Sequence, residues 1–167
     1  MFQILTHRFS IHWECIRVLD LFAGTGALGI EALSRGAQKA IFIDQSASAL
    51  SLIRKNLSAC AFLSRAELIK AKVGPGSRTF IKGIKGKGPF DLILADPPYE
   101  KSLSKLCLET VCVLGLLSKS GVMVIEESKS ADLPKRMDRR ACNNMALVLE
   151  DHRVYGQTAL WFYKIEE

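Results

Sequence analysis

The sequence predicts an α/β domain built on a mostly parallel sheet, with helices on both faces and an antiparallel hairpin at its end. Three observations carry this. Short apolar runs of strand length alternate with segments of helical periodicity from Arg17 to Glu126. A glycine-rich turn follows the first such run and opens a helix. From Ala146 onward, two strand-like runs are joined directly by Gly156-Gln157. Seven strands are expected, in one doubly wound domain covering residues 1–167.

Taken in order, an apolar opening from Phe2 to Phe9 suits the end of a helix, and Arg17 to Ala23 a buried strand. Leu28, Ile30, Ala32 and Leu33 suit a helix from Gly26 to about Arg35, stopped by Gly36. Lys39 to Asp44 is the next strand. Ser46 then caps a helix whose apolar positions are Leu50, Ile53, Leu57 and Ala61. A strand near Glu67 to Ala71 precedes a glycine- and lysine-rich stretch, Val73 to Pro89, with a short helix near Thr79 to Ile84. Phe90 to Ala95 is a strand, Ser102 to Leu117 a helix, and Gly121 to Glu126 a further strand. Ala146 to Tyr155 and Thr158 to Ile165 form the closing hairpin.

A hydrophobic content of 49% in 167 residues is enough for a full core and argues against disorder. The net charge of +6 favours an anionic partner such as nucleic acid, since basic side chains beside a polyanion release its condensed counterions. The five cysteines, Cys15, Cys60, Cys107, Cys112 and Cys142, are odd in number and lack CxxC spacing, so packing thiols in a reducing cytoplasm are expected rather than disulfides or a metal site. No run reaches the eighteen or so apolar residues needed to span a bilayer. A cytoplasmic monomer without metal is expected.

The segment Asp20 to Gly29 carries Gly24, Gly26 and Gly29 between strand and helix, where backbone can approach a ligand that side chains would block. That spacing serves dinucleotides as well. Asp20 tips the balance, because a carboxylate beside the loop repels a pyrophosphate and tolerates the cationic amino-acid end of S-adenosylmethionine. Asp44, twenty positions after Gly24, can accept from both ribose hydroxyls. Cofactor contacts are accordingly expected from Asp20, Phe22, Ala23, Gly24, Thr25, Gly26, Gly29, Asp44 and Gln45, with Asp96 bordering the same crevice.

Asp96-Pro97-Pro98-Tyr99 follows a strand and lies seventy residues past Gly26, which places it at the carboxyl edge of the same sheet. The prolines fix φ and carry no N–H, so this stiff turn can aim carbonyls at a substrate. An amino group on a nucleobase is a poor nucleophile, its lone pair being delocalised into the ring. Hydrogen bonds to the Asp96 carboxylate and the Pro97 carbonyl would favour a pyramidal nitrogen and stabilise the developing charge. Tyr99 can stack on an extruded base. Asp96, Pro97, Pro98 and Tyr99 are the candidate catalytic residues.

On Val18 to Gly29, Glu31-Ala32-Leu33-Ser34-Arg35-Gly36-Ala37, Asp96 to Tyr99 and Tyr155-Gly156-Gln157-Thr158, the chain resembles the bacterial 16S ribosomal RNA guanine-N2 methyltransferases. The resemblance implies a Rossmann-like class I methyltransferase fold that acts on 16S rRNA or the small ribosomal subunit. It implies that Asp20, Gly24, Gly26 and Asp44 hold S-adenosylmethionine and that Asp96, Pro97 and Tyr99 hold the target base. Three departures stand out. The family's basic N-terminal hairpin, which contacts RNA and closes over the cofactor, has no counterpart before Phe2, so weak activity is expected of this chain unaided. Lys72 stands where an Asp often meets the adenine amino group, and Gln157 replaces an Asp of the final turn.

Other readings remain open on the residues alone. A DNA adenine or cytosine amino-methyltransferase would often carry Asn in place of Asp96 and would need a target-recognition region. A remnant that binds cofactor and RNA with weak activity would bind S-adenosylmethionine without efficient transfer, and an NAD-linked dehydrogenase would have no use for the tetrapeptide. Two basic clusters, Lys82, Lys85 and Lys87, and Lys135, Arg136, Arg139 and Arg140, could contact phosphates. His7, His12 and His152 have no partner at catalytic spacing, and Glu126 and Glu127 suit caps or solvated residues better than a general base.

Overall fold

The computed structural model describes residues 1–98, 102–138 and 146–166. Its helices are α1 (Phe2–His7), α2 (Ala27–Ser34), α3 (Ala47–Ala59), α4 (Arg78–Ile84) and α5 (Leu103–Leu114). Its strands are β1 (Arg17–Leu21), β2 (Lys39–Asp44), β3 (Ala66–Lys70), β4 (Phe90–Ala95), β5 (Leu117–Ser128), β6 (Arg136–Asp138), β7 (Ala146–Tyr155) and β8 (Thr158–Glu166). Among these residues they form one sheet in the order β3-β2-β1-β4-β5-β8-β7-β6. The first five strands are parallel, and β8, β7 and β6 add on antiparallel.

Strand alternation splits the core in two. Leu19, Ile41, Ile93, Met123 and Ile125 point to one face, where they meet Phe80 of α4 and Leu108 and Val111 of α5. Their neighbours Val18, Phe42, Leu92 and Val124 point to the other, against Leu5, Leu33, Ile53 and Leu57 of α1, α2 and α3. Each such side chain, fully removed from water, contributes about 1.5–3 kcal/mol. Both faces of the parallel strands are therefore apolar, which is why they appear in sequence as continuous runs.

Two helices are capped by serine side chains, Ser46 as expected and Ser77 in addition. Ser46 caps α3 by accepting from Ala49 N–H at 3.3 Å, and Ser77 caps α4 by accepting from Phe80 N–H at 3.3 Å. Helix α5 stops at Leu114, three residues short of the expected end, because Gly115 turns left-handed at φ 60° and releases Leu117 into β5. Strand β5 consequently starts four residues earlier than the apolar run Gly121 to Glu126 suggests, with a register shift against β4 between Phe90 and Leu92.

Among the described residues the sheet has eight strands rather than seven. The extra one, β6, pairs Arg136, Met137 and Asp138 with Val148, Leu147 and Ala146. Three residues are too few to show a period, and only Met137 packs on the core. Cys107 and Cys112 are buried in α5, as packing thiols should be; burial pushes the Cys107 thiol up to about 12. Among the described residues no helix is long and apolar enough to cross a membrane, and no cluster of His, Cys, Asp or Glu could hold a metal ion.

Candidate active site

The strand order reverses between β1 and β4, so the connections leaving their carboxyl ends diverge to opposite sides and open a crevice. A cavity of about 510 Å³ lies there, of a size to hold a nucleoside-bearing cofactor. The loop after β1 supplies Phe22, Ala23, Gly24 and Thr25 to its wall; the end of β2 and the residue after it supply Asp44 and Gln45; the turn after β4 supplies Asp96, Pro97 and Pro98.

The loop is shaped by three left-handed residues, Phe22, Gly24 and Gly26, at φ 58°, 54° and 80°. For Phe22 this conformation costs on the order of 1 kcal/mol or more. Tertiary contacts hold it: Ala23 N–H donates to the Ile43 carbonyl at 3.0 Å, and the Asn56 amide donates to the Thr25 carbonyl at 2.9 Å. Asp44 accepts from Gly24 N–H at 2.9 Å and from Ser46 N–H at 2.8 Å. It thus caps the turn into α3 and also pins the loop, and each oxygen keeps a lone pair for a further donor.

Asp20 is 2% exposed, so it is not a solvated strand-end residue. One of its oxygens accepts from Gly29 N–H at 2.9 Å, and the carboxylate lines the crevice floor. Burial, reinforced by the charges of Asp96 and Asp44, pushes its carboxyl up to about 7 despite the Gly29 hydrogen bond. Asp96 is exposed at the crevice, and no hydrogen-bond donor among the described residues holds its carboxylate. Partial burial and then the neighbouring charge of Glu127 raise its carboxyl above the usual range.

Two of the residues expected to contact the cofactor lie outside the cavity wall. Gly26 and Gly29 do not line the cavity. A Cβ on Gly29 would stand 2.3 Å from the Phe42 ring, and one on Gly26 would stand 3.1 Å from Ile53. Both glycines let α2 press against β2 and α3. The wall instead includes Ala27 and Leu28, from the first turn of α2, where helical period marks Leu28 only as apolar. Tyr99 lies outside the described residues, as do Cys142, Arg139 and Arg140. Lys72 is exposed and does not line the crevice. Lys87 pairs with Glu67, and Arg136 with Asp138 and Glu166.

Glu126 and Glu127, near the end of β5, are half-buried. Burial and the charge of Asp96 raise the Glu126 carboxyl, and Glu127 accepts from the Ser104 hydroxyl at 2.6 Å. Nothing local in the sequence marks Glu126 as a neighbour of Asp96; strand pairing between β4 and β5 brings it there.

A glycine loop at the switch point of a doubly wound sheet, with a second turn after β4 lining the same crevice, is the arrangement of a Rossmann-like nucleoside-binding domain, the class to which class I methyltransferases belong. The chain belongs to the family described as Conserved hypothetical protein 95, whose model matches residues 1–164. It is 32% identical over 148 residues to "Putative rRNA methyltransferase YlbH" of Bacillus subtilis, covering 89% of this chain and 75% of that one. It is 32% identical over 121 residues to "Ribosomal RNA small subunit methyltransferase D" of Haemophilus influenzae, covering 72% of this chain and 59% of the relative. The crystal structure of "putative methylase HI0767" from Haemophilus influenzae superposes with a TM-score of 0.76 at 25% identity, covering 99% of this chain and 96% of that one.

Proposed function

We propose that this chain transfers a methyl group from S-adenosylmethionine to the exocyclic N2 amino group of a guanine in 16S ribosomal RNA. The observation that carries the cofactor assignment is the convergence of three carboxylates, Asp20, Asp44 and Asp96, on one crevice beside a glycine loop. A dinucleotide would set its pyrophosphate among these charges, whereas S-adenosylmethionine brings a sulfonium and an ammonium to them. The names of the relatives, which act on ribosomal RNA, support the substrate, as does the net charge of +6.

Asp20, Phe22, Ala23, Gly24, Thr25, Asp44 and Gln45 are the residues that would hold the cofactor, with Asp44 toward the ribose and Asp20 toward the cationic end. When bound, S-adenosylmethionine supplies a methyl group whose transfer forms an N–C bond as the C–S bond breaks and its electron pair leaves on sulfur. Asp96 and the carbonyl of buried Pro97 accept the two amino N–H groups and localise the lone pair on nitrogen. Pro98 keeps the turn rigid, and Tyr99 would stack on the base. As the nitrogen becomes positive, Asp96 takes up its excess proton; its raised carboxyl suits that step better than an ordinary exposed aspartate.

The decisive experiment is transfer of labelled methyl to unmodified small ribosomal subunits, followed by mapping of the labelled base. Label on guanine N2 of 16S RNA is the expected result. Label on no RNA, or only on DNA adenine or cytosine, overturns the reading.

A further inference from the structure

We infer that the tip of the closing hairpin docks the RNA strand beside the target base, with Tyr155 as the platform on which one flanking base stacks; this rests on the methyl-transfer reading above.

Strand register puts Tyr155 on the edge and the face that Asp96 occupies. Ala95 of β4 pairs with Ile125 of β5, so the next residues, Asp96 and Glu126, are lateral neighbours. Glu126 pairs with Leu160 of β8, and Leu160 with Arg153 of β7. Leu94, Val124 and Leu160 all face α1, α2 and α3, so alternation turns Asp96, Glu126 and Arg153 to that same side. Tyr155, two residues past Arg153, shares the side and stands farther out along the edge. With strands about 4.8 Å apart, three steps from β4 to β7 and two residues along β7 set Tyr155 about 16 Å from Asp96. A strand of RNA covers that distance in about five stacked nucleotides at about 3.4 Å each, and in fewer when extended.

Tyr155 is 53% exposed and its neighbour Val154 52%, more than any other large hydrophobic side chain among the described residues. The tip is nevertheless held. Gly156, left-handed at φ 60°, lets the chain reverse in two residues, and the Gln157 carbonyl accepts from Lys129 N–H at 2.9 Å, just past the end of β5. Arg8 pairs with Asp151 at 3.1 Å, Asp151 with Arg153 at 2.9 Å, and the Arg153 guanidinium meets the Tyr155 hydroxyl. A ring tethered in this way has little rotamer freedom left to lose when a base stacks on it.

An aromatic ring accepts any base, because every base has a π-face. A base extruded into the crevice leaves its neighbours unstacked, and such bases are taken up by exposed aromatic side chains. The net charge of +6 draws the polyanion to the chain as a whole. Arg153 is already engaged by Asp151, so it acts as a positioning residue for Tyr155, and the contact made at the tip is a stack rather than an ion pair.

The test measures methyl transfer to unmethylated small ribosomal subunits at saturating S-adenosylmethionine. Tyr155→Ala and Tyr155→Leu, which both lack a π-face, should raise the KM for subunits about tenfold or more while binding cofactor as the wild type does. Tyr155→Phe should stay within about threefold of the wild type. Subunits carrying an abasic residue at each position within about five nucleotides of the target, in turn, then identify the stacked base. One position should raise the wild-type KM to about the level of Tyr155→Ala and leave that variant unaffected. An unchanged KM in the Ala or Leu variant overturns the inference, as does a Phe variant impaired as much as the Ala one. Wild-type KM values that no abasic position raises overturn it too, and assign any loss in the variants to a ribosomal protein; this arm decides even where a variant unfolds. If the wild-type chain methylates no RNA, the functional reading fails and this inference with it.

Discussion

Asp44 accepts a hydrogen bond from the Gly24 N–H at 2.9 Å across twenty residues of sequence, tying the tip of the glycine loop to the end of β2. The same carboxylate accepts from Ser46 N–H. A residue read as a ribose ligand is thus also the clamp that sets the shape of the loop before any ligand arrives. Asp44→Ala should weaken S-adenosylmethionine binding by about 10–100-fold, from loss of both a ligand contact and the loop geometry, each hydrogen bond to a charged group being worth about 1.5–3 kcal/mol. Isothermal calorimetry with cofactor checks this, and unchanged affinity would remove Asp44 from the site.

Asp96 has no hydrogen-bonding partner among the described residues and is exposed, so its side chain does little for stability. Asp96→Ala should leave the melting temperature essentially as it is while lowering methyl transfer by about 10²–10³-fold or more. Single-turnover transfer beside a thermal melt separates the two effects. Retained activity would refute the proposed handling of the amino group.

Asp20 couples ionisation to ligand binding. Its carboxyl, buried and pushed up to about 7, is neutral in the folded chain over a range where the unfolded chain carries it ionised. Between its ordinary value of 3.8 and about 7 the folded state binds the extra proton, so this group's contribution to stability is full below that window and is lost as pH rises through it. Asp20→Asn should flatten that part of the stability-versus-pH curve. A cationic ligand favours the carboxylate, so S-adenosylmethionine binding near pH 6 should release a proton, seen as a binding enthalpy that varies with the ionisation enthalpy of the buffer.

Gly29 and Gly24 should respond differently to alanine. At Gly29 the added Cβ would meet the Phe42 ring at 2.3 Å in a closed core, and overpacking of this kind costs about 1–3 kcal/mol or more. At Gly24 nothing lies nearer than 3.9 Å, and the cost is that of a left-handed alanine at φ 54°, about 1 kcal/mol. Chemical denaturation should show the larger loss for Gly29→Ala, whereas cofactor affinity should suffer more in Gly24→Ala, whose backbone lines the crevice. The reverse order would contradict the division of labour within the loop.

The sequence by itself determined the parallel strands, the cap at Ser46, the glycine loop and the closing hairpin. These are local or periodic signals, written in residues two to four positions apart. It also placed Asp20, Asp44 and Asp96 at strand ends, hence on one edge of the sheet. Only tertiary structure decided what those residues meet. The packing role of Gly26 and Gly29 depends on Ile53 and Phe42, the burial of Asp20 on α2 lying across it, and β6 on partners in β7. The pairing of Lys87 with Glu67, and the arrival of Glu126 beside Asp96, are likewise set by which strands and helices become neighbours. Burial and electrostatic coupling act through space between elements distant in sequence, and local periodicity carries no record of that distance.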